Sequence, residues 1–307
     1  MLDIYLDKLY RYPRIQECVS VAVPFKKGEL KSISEIAVLQ NGKECIIQPE
    51  VTSSYDDGSV KFLFISFMAD LPANKRTKVI LSVSSEEYDK AVEASKLSYD
   101  NPIEKAENVH KAEVCVKKTE AGYTVNSGEL EFDVSDNSES IFTRLVDGRK
   151  IYTEENFEGP VLKDREGNDY KMSIGEWRVV KPGPVEVTLS AKAYNVVEAD
   201  KDGNTASIDK EDKKGIKNKN IESEIRITAY AGKPWVNISY RIINTSDEEL
   251  NIKSLVFYIK KSKDSRITDK LVHIDMASGN DSTGCGDILT DNSNNNGPIF
   301  MTRGIGE

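Results

Sequence analysis

Histidine is the side chain best suited to proton transfer near neutral pH, and this chain has only two, His110 and His273. Two histidines cannot build a three-histidine metal centre, and their separation excludes a His-x-x-x-His pair. His110 falls in a polar stretch and is interpreted as a surface side chain. His273 lies in the strand-like run LVHID at residues 271–275, where it is a candidate acid or base. The alternative is a structural histidine in a sheet.

Three pairs of neighbouring or nearby residues combine an aromatic ring with a polar or second aromatic group. They are Trp177 with Arg178, Tyr55 with Asp57, and Trp235 with Tyr240. Such groups can stack on a sugar ring and form hydrogen bonds with its hydroxyls. Trp177, Asp57 and Trp235 are therefore candidate substrate-binding residues. Core packing is the competing interpretation of each pair.

One acidic segment imitates the ligand spacing of a calcium-binding EF-hand loop. It has Asp200, Asp202 and Asn204 at alternate positions and Glu211 at the twelfth. Thr205 stands where that loop needs glycine, so the segment is interpreted as a solvated acidic turn. The four cysteines form no CxxC pair, and no Walker A loop, dinucleotide fingerprint or nucleophile elbow occurs. The sequence predicts no bound metal and no cofactor.

The charge and hydropathy of the chain narrow the class of partner. A net charge of −9 opposes binding to nucleic acid, because that affinity depends on neutralising phosphates. An anionic saccharide stays compatible, since a local group of Arg and Lys can hold a carboxylate whatever the overall charge. No run approaches the roughly 20 apolar residues of a membrane-spanning helix, and the N-terminus lacks a signal-peptide layout. We expect a soluble, cytoplasmic protein that binds neither nucleic acid nor membranes.

The elements that must position these side chains are mostly strands. Short runs rich in Val, Ile and aromatic residues recur between Gly, Asn, Asp or Pro, which predicts antiparallel strands joined by turns. They occupy residues 19–23, 33–39, 46–51, 60–68, 112–117, 123–126, 130–134, 142–146, 177–180, 185–197, 221–229, 235–243 and 250–259. The dipeptides Asp57-Gly58 and Asp147-Gly148 predict hairpin turns.

One helix is predicted over residues 84–97, and it separates two sheet-rich domains. Ser84 and Glu87 form a capping-box signature there, and apolar residues follow at helical spacing. The predicted organisation is an all-β fold with a small barrel at 1–84, a helical and polar linker at 85–104 and a large antiparallel β-sandwich at 105–307.

Two polar stretches complete this organisation. Residues 198–220 are nearly all charged or small and polar, which predicts a solvated hairpin tip or insertion. Residues 279–307 are rich in Asn, Gly, Ser and Asp and end shortly after a short apolar run, so we expect a chain truncated from a longer protein.

Five segments resemble one known family, the exo-rhamnogalacturonan lyase-like proteins. VAVPFKKGEL at 21–30 and YDDGSVKF at 55–62 resemble the opening of that family. VNSGELEF at 125–132, GPV at 183–185 and ITAYAGKP at 227–234 are similar to its central sandwich. The resemblance implies a RIFT-type N-terminal barrel, a central β-sandwich and a C-terminal α/α toroid, the last having no counterpart in this chain.

The resemblance also implies a reaction, the β-elimination of pectic rhamnogalacturonan I. That reaction needs a base for the proton α to the uronate carboxylate, donors that stabilise the developing enolate, and an acid for the leaving oxygen. His273, Arg178, Tyr55 and Lys61 are candidates for these roles from their expected positions at strand ends or turns. The expected partners are a poly- or oligosaccharide substrate and the α/α domain of the same polypeptide. The alternative is a non-catalytic glycan-binding or scaffolding module.

Overall fold

The computed structural model describes residues 1–7, 12–96, 112–148, 150–165, 169–197, 216–245, 247, 249 and 251–259 of the chain. These residues form 18 β-strands, one α-helix and one 3-10 helix (Glu154–Asn156), and every strand pairing among them is antiparallel. The predicted all-β fold class is confirmed.

Seven strands form two small sheets at the N-terminal end. They are β1 (Leu2–Leu6), β2 (Arg14–Pro24), β3 (Ala37–Gln40), β4 (Lys43–Glu44), β5 (Ile47–Ser54), β6 (Val60–Leu71) and β7 (Thr77–Ser82). Sheet A has the order β1-β7-β3-β4, and sheet B has the order β2-β6-β5. Leu63, Ile65 and Phe67 alternate along β6 and are buried in the core that both sheets share. We call sheets A and B together the barrel.

Helix α1 (Ser85–Lys96) confirms the helix that the sequence predicts, and it packs on the barrel. Acidic residues occupy its first turn and Lys96 its last, which suits the helix dipole. Ala91 is buried against Leu39 of β3 and Ile80 of β7. Among the described residues, no helix has the length and apolar content needed to cross a membrane.

Eleven further strands form the two sheets of a sandwich. They are β8 (Cys115–Lys118), β9 (Gly122–Asn126), β10 (Leu130–Ser135), β11 (Arg144–Asp147), β12 (Lys150–Thr153), β13 (Phe157–Asp164), β14 (Asp169–Pro182), β15 (Glu186–Val197), β16 (Ile216–Tyr230), β17 (Val236–Asn244) and β18 (Ile252–Ile259). Sheet C has the order β12-β11-β10-β9-β8, and sheet D the order β17-β16-β15-β14-β13-β18.

The sandwich core lies between sheets C and D. Alternate residues of β15, among them Val187, Leu189 and Ala191, are buried there. Phe142 connects the two sheets, since its ring makes edge contacts with Phe132 and Phe157 at centroid distances of 5.2 and 5.3 Å. The residues that alternate with these on β15 therefore point to the opposite side, which we call the outer face of sheet D.

Both predicted hairpins form. In the β5–β6 turn, Gly58 N donates to Tyr55 O at 3.0 Å, and Gly58 has the positive φ that this turn needs. In the β11–β12 turn, Asp147 pairs with Lys150.

Several predicted boundaries were wrong. Residues 33–36 are not in a strand, because β3 begins at Ala37. Strands β1, β4, β7, β12 and β13 were not predicted, and β14 begins at Asp169. Residues 216–220 of the predicted insertion lie in β16. The rest of that insertion, most of the predicted linker and residues 279–307 lie outside the described residues.

The two phenylalanines of β6 provide a matched test of the barrel core. Phe67 is fully buried, whereas Phe62 on the same strand is 41% exposed. Phe67→Ala leaves a cavity and should lower the free energy of unfolding by about 3–5 kcal/mol, measured by urea denaturation. Phe62→Ala should lower it by less than about 1.5 kcal/mol. Equal losses in the two variants would contradict this assignment of the core.

Candidate functional site

The barrel is joined to the sandwich through sheet B. Three side chains of this part of the barrel pack against the end of the sandwich core: Cys18 of β2, Ile46 just before β5, and Met68 of β6. Beside them, Gln48 Oε1 accepts hydrogen bonds from the backbone N–H groups of Val185 and Glu186, both at 2.9 Å. One amide side chain of the barrel therefore binds the first residues of the sandwich strand β15.

A polar group lies at the solvent end of this joint. Glu186 Oε1 accepts from Ser66 Oγ at 3.0 Å and from Lys181 Nζ at 2.5 Å. The ammonium of Lys181 lies 4.8 Å from the centroid of the Phe64 ring, a cation–π contact. Ser66 and Glu186 are buried, while Lys181 and Phe64 are partly open to solvent. We call Gln48, Phe64, Ser66, Lys181 and Glu186 the junction site.

Two aromatic side chains lie next to the junction site. Tyr230 pairs with Glu186 across β15 and β16, and its ring is 5.0 Å from that of Trp235. Trp235 is 47% exposed, so about half of this side chain is open to solvent. Lys233, in the same turn, donates to Ile15 O at 3.2 Å and holds the turn against the barrel.

The electrostatics of the joint follow from its burial. Burial raises the pKa of the Cys18 thiol to about 12, and the Glu186 carboxylate adds to this effect. Burial is also the main cause of the raised pKa of Tyr230, with Glu186 again contributing. Both groups are neutral at physiological pH, so Lys181 and Glu186 carry the charge of the junction site.

Three candidate residues from the sequence lie together at the β5–β6 hairpin. Tyr55 Oη donates to Phe25 O at 3.0 Å, and Lys61 Nζ lies 5.7 Å from the Tyr55 ring centroid. Asp57 Oδ1 accepts from Ser59 Oγ at 2.6 Å, and this hydrogen bond lowers the pKa of Asp57. Asp57 therefore stabilises its own turn, and its carboxylate is exposed there.

The remaining candidates lie apart from that hairpin. Trp177 is only 4% exposed and packs in the sandwich core, a placement that favours the core-packing interpretation. Arg178, the next residue on β14, is exposed on the outer face of sheet D. Trp235 adjoins the junction site, a placement that favours stacking. His273, His110 and the acidic segment 200–211 lie outside the described residues.

Sequence reasoning missed Lys181, Glu186 and Tyr230. A signal existed, because these residues are close to two segments that carry the family resemblance. Lys181 and Glu186 flank residues 183–185, and Tyr230 lies within residues 227–234. Both segments form turns at the barrel end of the sandwich, where Ala231 N donates to Val185 O at 2.9 Å. Gly183 has φ +98°, and a Cβ there would meet Val114 O at 2.5 Å, so only glycine fits this turn.

This arrangement supports binding more directly than proton transfer. Lys181 and Glu186 are bonded to each other, and Trp235 offers a stacking surface. Among the described residues, no group of three or more His, Cys, Asp or Glu side chains could hold a metal ion. The geometry can therefore hold a polar ligand with an apolar face, such as a sugar.

The fold is that of an all-β protein with a small N-terminal barrel. Residues 4–81 match the family model described as the PcRGLX-like N-terminal RIFT barrel domain. The match covers 78 of 307 residues, so it supports a rhamnogalacturonan lyase-like N-terminal domain and does not extend to the sandwich. No curated protein matches the chain.

The joint predicts a specific role for the Gln48 side chain. Gln48→Ala leaves two buried backbone N–H groups without their acceptor, which should lower the free energy of unfolding by about 2 kcal/mol. Glu50→Ala, an exposed change two residues along β5, is the control and should have little effect. Urea denaturation measures both variants, and equal stability of the two would refute the role of Gln48.

The raised pKa of Cys18 predicts a difference in thiol reactivity. With a pKa of about 12, on the order of one Cys18 thiol in 10⁴ is ionised at pH 8, and only the thiolate attacks iodoacetamide. Peptide mass spectrometry should find Cys115, which is exposed, alkylated well before Cys18. In denaturant both should react. Rapid native labelling of Cys18 would show that the joint is open in solution.

Proposed function

We propose that this protein is a rhamnogalacturonan lyase-like, carbohydrate-active protein whose barrel and sandwich supply a glycan-binding surface. The observation that carries the proposal is the match of residues 4–81 to the PcRGLX-like RIFT barrel. The exposed Trp235 packs at a tilt against Tyr230, close to the Lys181–Glu186 pair, and supports the proposal, since aromatic rings with adjacent polar groups suit sugar recognition.

The proposed reaction is β-elimination on a uronic acid-containing pectic glycan. A base removes the proton α to the uronate carboxylate, and the glycosidic oxygen leaves with a proton from an acid. The described residues include no histidine, and their cations at the junction are bonded to carboxylates. We therefore assign binding to this part of the chain, with the α/α domain implied by the resemblance as its partner in catalysis.

The test of this function has a binding arm and a product arm. Rhamnogalacturonan I oligosaccharides should bind the chain in titration calorimetry. The ultraviolet absorbance of unsaturated uronate should rise only when an α/α domain is joined to it. Absence of binding across a panel of pectic glycans would refute the proposal.

A non-catalytic glycan-binding module is the second candidate, favoured by the paired state of Lys181 and Glu186. It predicts binding in the first arm and no product in either form of the protein.

Trp235 provides the sharper mutational test. Trp235→Ala removes the exposed stacking surface and should weaken oligosaccharide binding by about fivefold, because a ring contact contributes on the order of 1 kcal/mol. Tyr5→Ala is the control, since it removes an exposed aromatic ring from β1 on sheet A. Equal weakening in both variants, or in neither, would argue against a sugar platform at Trp235.

A further inference from the structure

The outer face of sheet D carries polar side chains in rows across three central strands. In one row Thr188 of β15 lies beside Thr228 of β16, and their hydroxyl oxygens are 2.9 Å apart. In the next row, Ser190 of β15 pairs with Arg178 on one side and with Arg226 on the other. Residues two apart on a strand share a face, so adjacent rows are about 6.8 Å apart.

The row that contains Ser190 places an arginine residue on each side of one short side chain. Strands β14 and β16 both neighbour β15, so their backbones are separated by about 9.6 Å. Arginine side chains are long enough to converge from that separation on one small group. Ser190 is buried beneath its neighbours and is too short to block this convergence.

The charges of this region leave a guanidinium available. Arg226 Nε and Nη2 both donate to Glu224 Oε1, at 3.1 and 3.0 Å. Arg241 shares the same carboxylate, with Nη1 3.6 Å from Glu224 Oε2. Among the described residues, Arg178 has no bonded acidic partner, and its side chain is exposed. Three guanidinium groups are thus matched by one bonded carboxylate.

Glu224 stays ionised in this arrangement. The hydrogen bonds from Arg226 lower the pKa of Glu224, with a further contribution from Ser190 Oγ. Its carboxylate therefore holds the Arg226 guanidinium in position at neutral pH, so this arginine is preorganised for binding.

We infer that Arg178 and Arg226 form a binding site for the carboxylate of a uronic acid residue in an acidic oligosaccharide. The planar guanidinium group matches the two oxygens of a carboxylate, and an unpaired arginine on an exposed face is free to bind one. The inference rests on the proposed function for its choice of a sugar as the carrier of that carboxylate. It adds a site on sheet D, separate from the RIFT barrel that the family match covers.

The neighbouring rows fit an oligosaccharide. In the row next to the arginines, buried Thr188 is bonded to Thr228, and the partly exposed Thr228 and exposed Asn237 of β17 offer a hydroxyl and an amide for sugar hydroxyls. One row further, Tyr230 and Trp235 offer stacking rings. An extended chain of sugars that runs along β15 and β16 would meet an arginine pair, a hydroxyl row and an aromatic pair in turn.

Titration calorimetry with trigalacturonate tests the site directly. Arg178→Ala should weaken trigalacturonate binding by about tenfold, as expected for loss of a charge-assisted hydrogen bond. Arg178→Lys should give an intermediate affinity, because lysine keeps the charge and loses the planar fork. Arg76→Ala is the matched control, since it removes an exposed arginine from the barrel. Thermal unfolding should be unchanged in all three variants.

A second set of titrations compares ligands with and without a free carboxylate. The methyl ester of trigalacturonate should bind at least tenfold more weakly than the acid, and Arg178→Ala should not weaken it further. Equal affinity for acid and ester, or unchanged affinity in Arg178→Ala, would each overturn the site.

Failure of this site and failure of the proposed function give different results. Suppose that the protein forms unsaturated product and that Arg178→Ala binds trigalacturonate as tightly as the wild type. This result would overturn the arginine site and leave the lyase proposal intact. Selective binding that depends on Arg178, without product in any form of the protein, would support the site and refute the lyase activity.

Discussion

Strand β6 of sheet B packs against apolar residues on both of its faces, and this double packing constrains the rest of the molecule. Leu63, Ile65 and Phe67 pack into the barrel core, while Met68 packs against the end of the sandwich core. A sandwich of two sheets has an open end wherever its strands stop, and apolar side chains there would meet water. Sheet B packs against that end, so strand β6 contributes residues to the barrel core and to the sandwich core.

Hydrogen bonds fix the relative position of the barrel and the sandwich at this joint, which apolar contacts alone would not do. The two N–H groups that Gln48 accepts belong to successive residues, Val185 and Glu186, which fixes the start of β15 against β5. A buried N–H group without an acceptor costs free energy, so other positions of the barrel are disfavoured. The Lys181–Glu186 ion pair adds a further contact at the solvent-exposed side of the joint. Tyr230 lies beside this pair because it is in register with Glu186.

Local patterns in the sequence predicted much of the fold but not the joint. The apolar run at 60–68 predicted strand β6, and Asp57-Gly58 located its hairpin, because both signals are local. The Ser66–Glu186 contact joins residues 120 positions apart, and no local pattern reports it. The two tryptophans illustrate the same limit. Both lie in strand-like runs, but tertiary packing buries Trp177 and exposes Trp235.

The net charge of −9 does not conflict with an anion-binding face on sheet D. At physiological ionic strength, charges more than about 8 Å apart in solvent are largely screened, so the nearest groups determine the field at a surface site. Around Ser190 those groups are Arg178, Arg226, Arg241 and Lys192, with the carboxylates of Glu224 and Glu222. Distant acidic residues therefore weaken long-range attraction of an acidic glycan and slow its encounter. They have little effect on a carboxylate once it lies between Arg178 and Arg226.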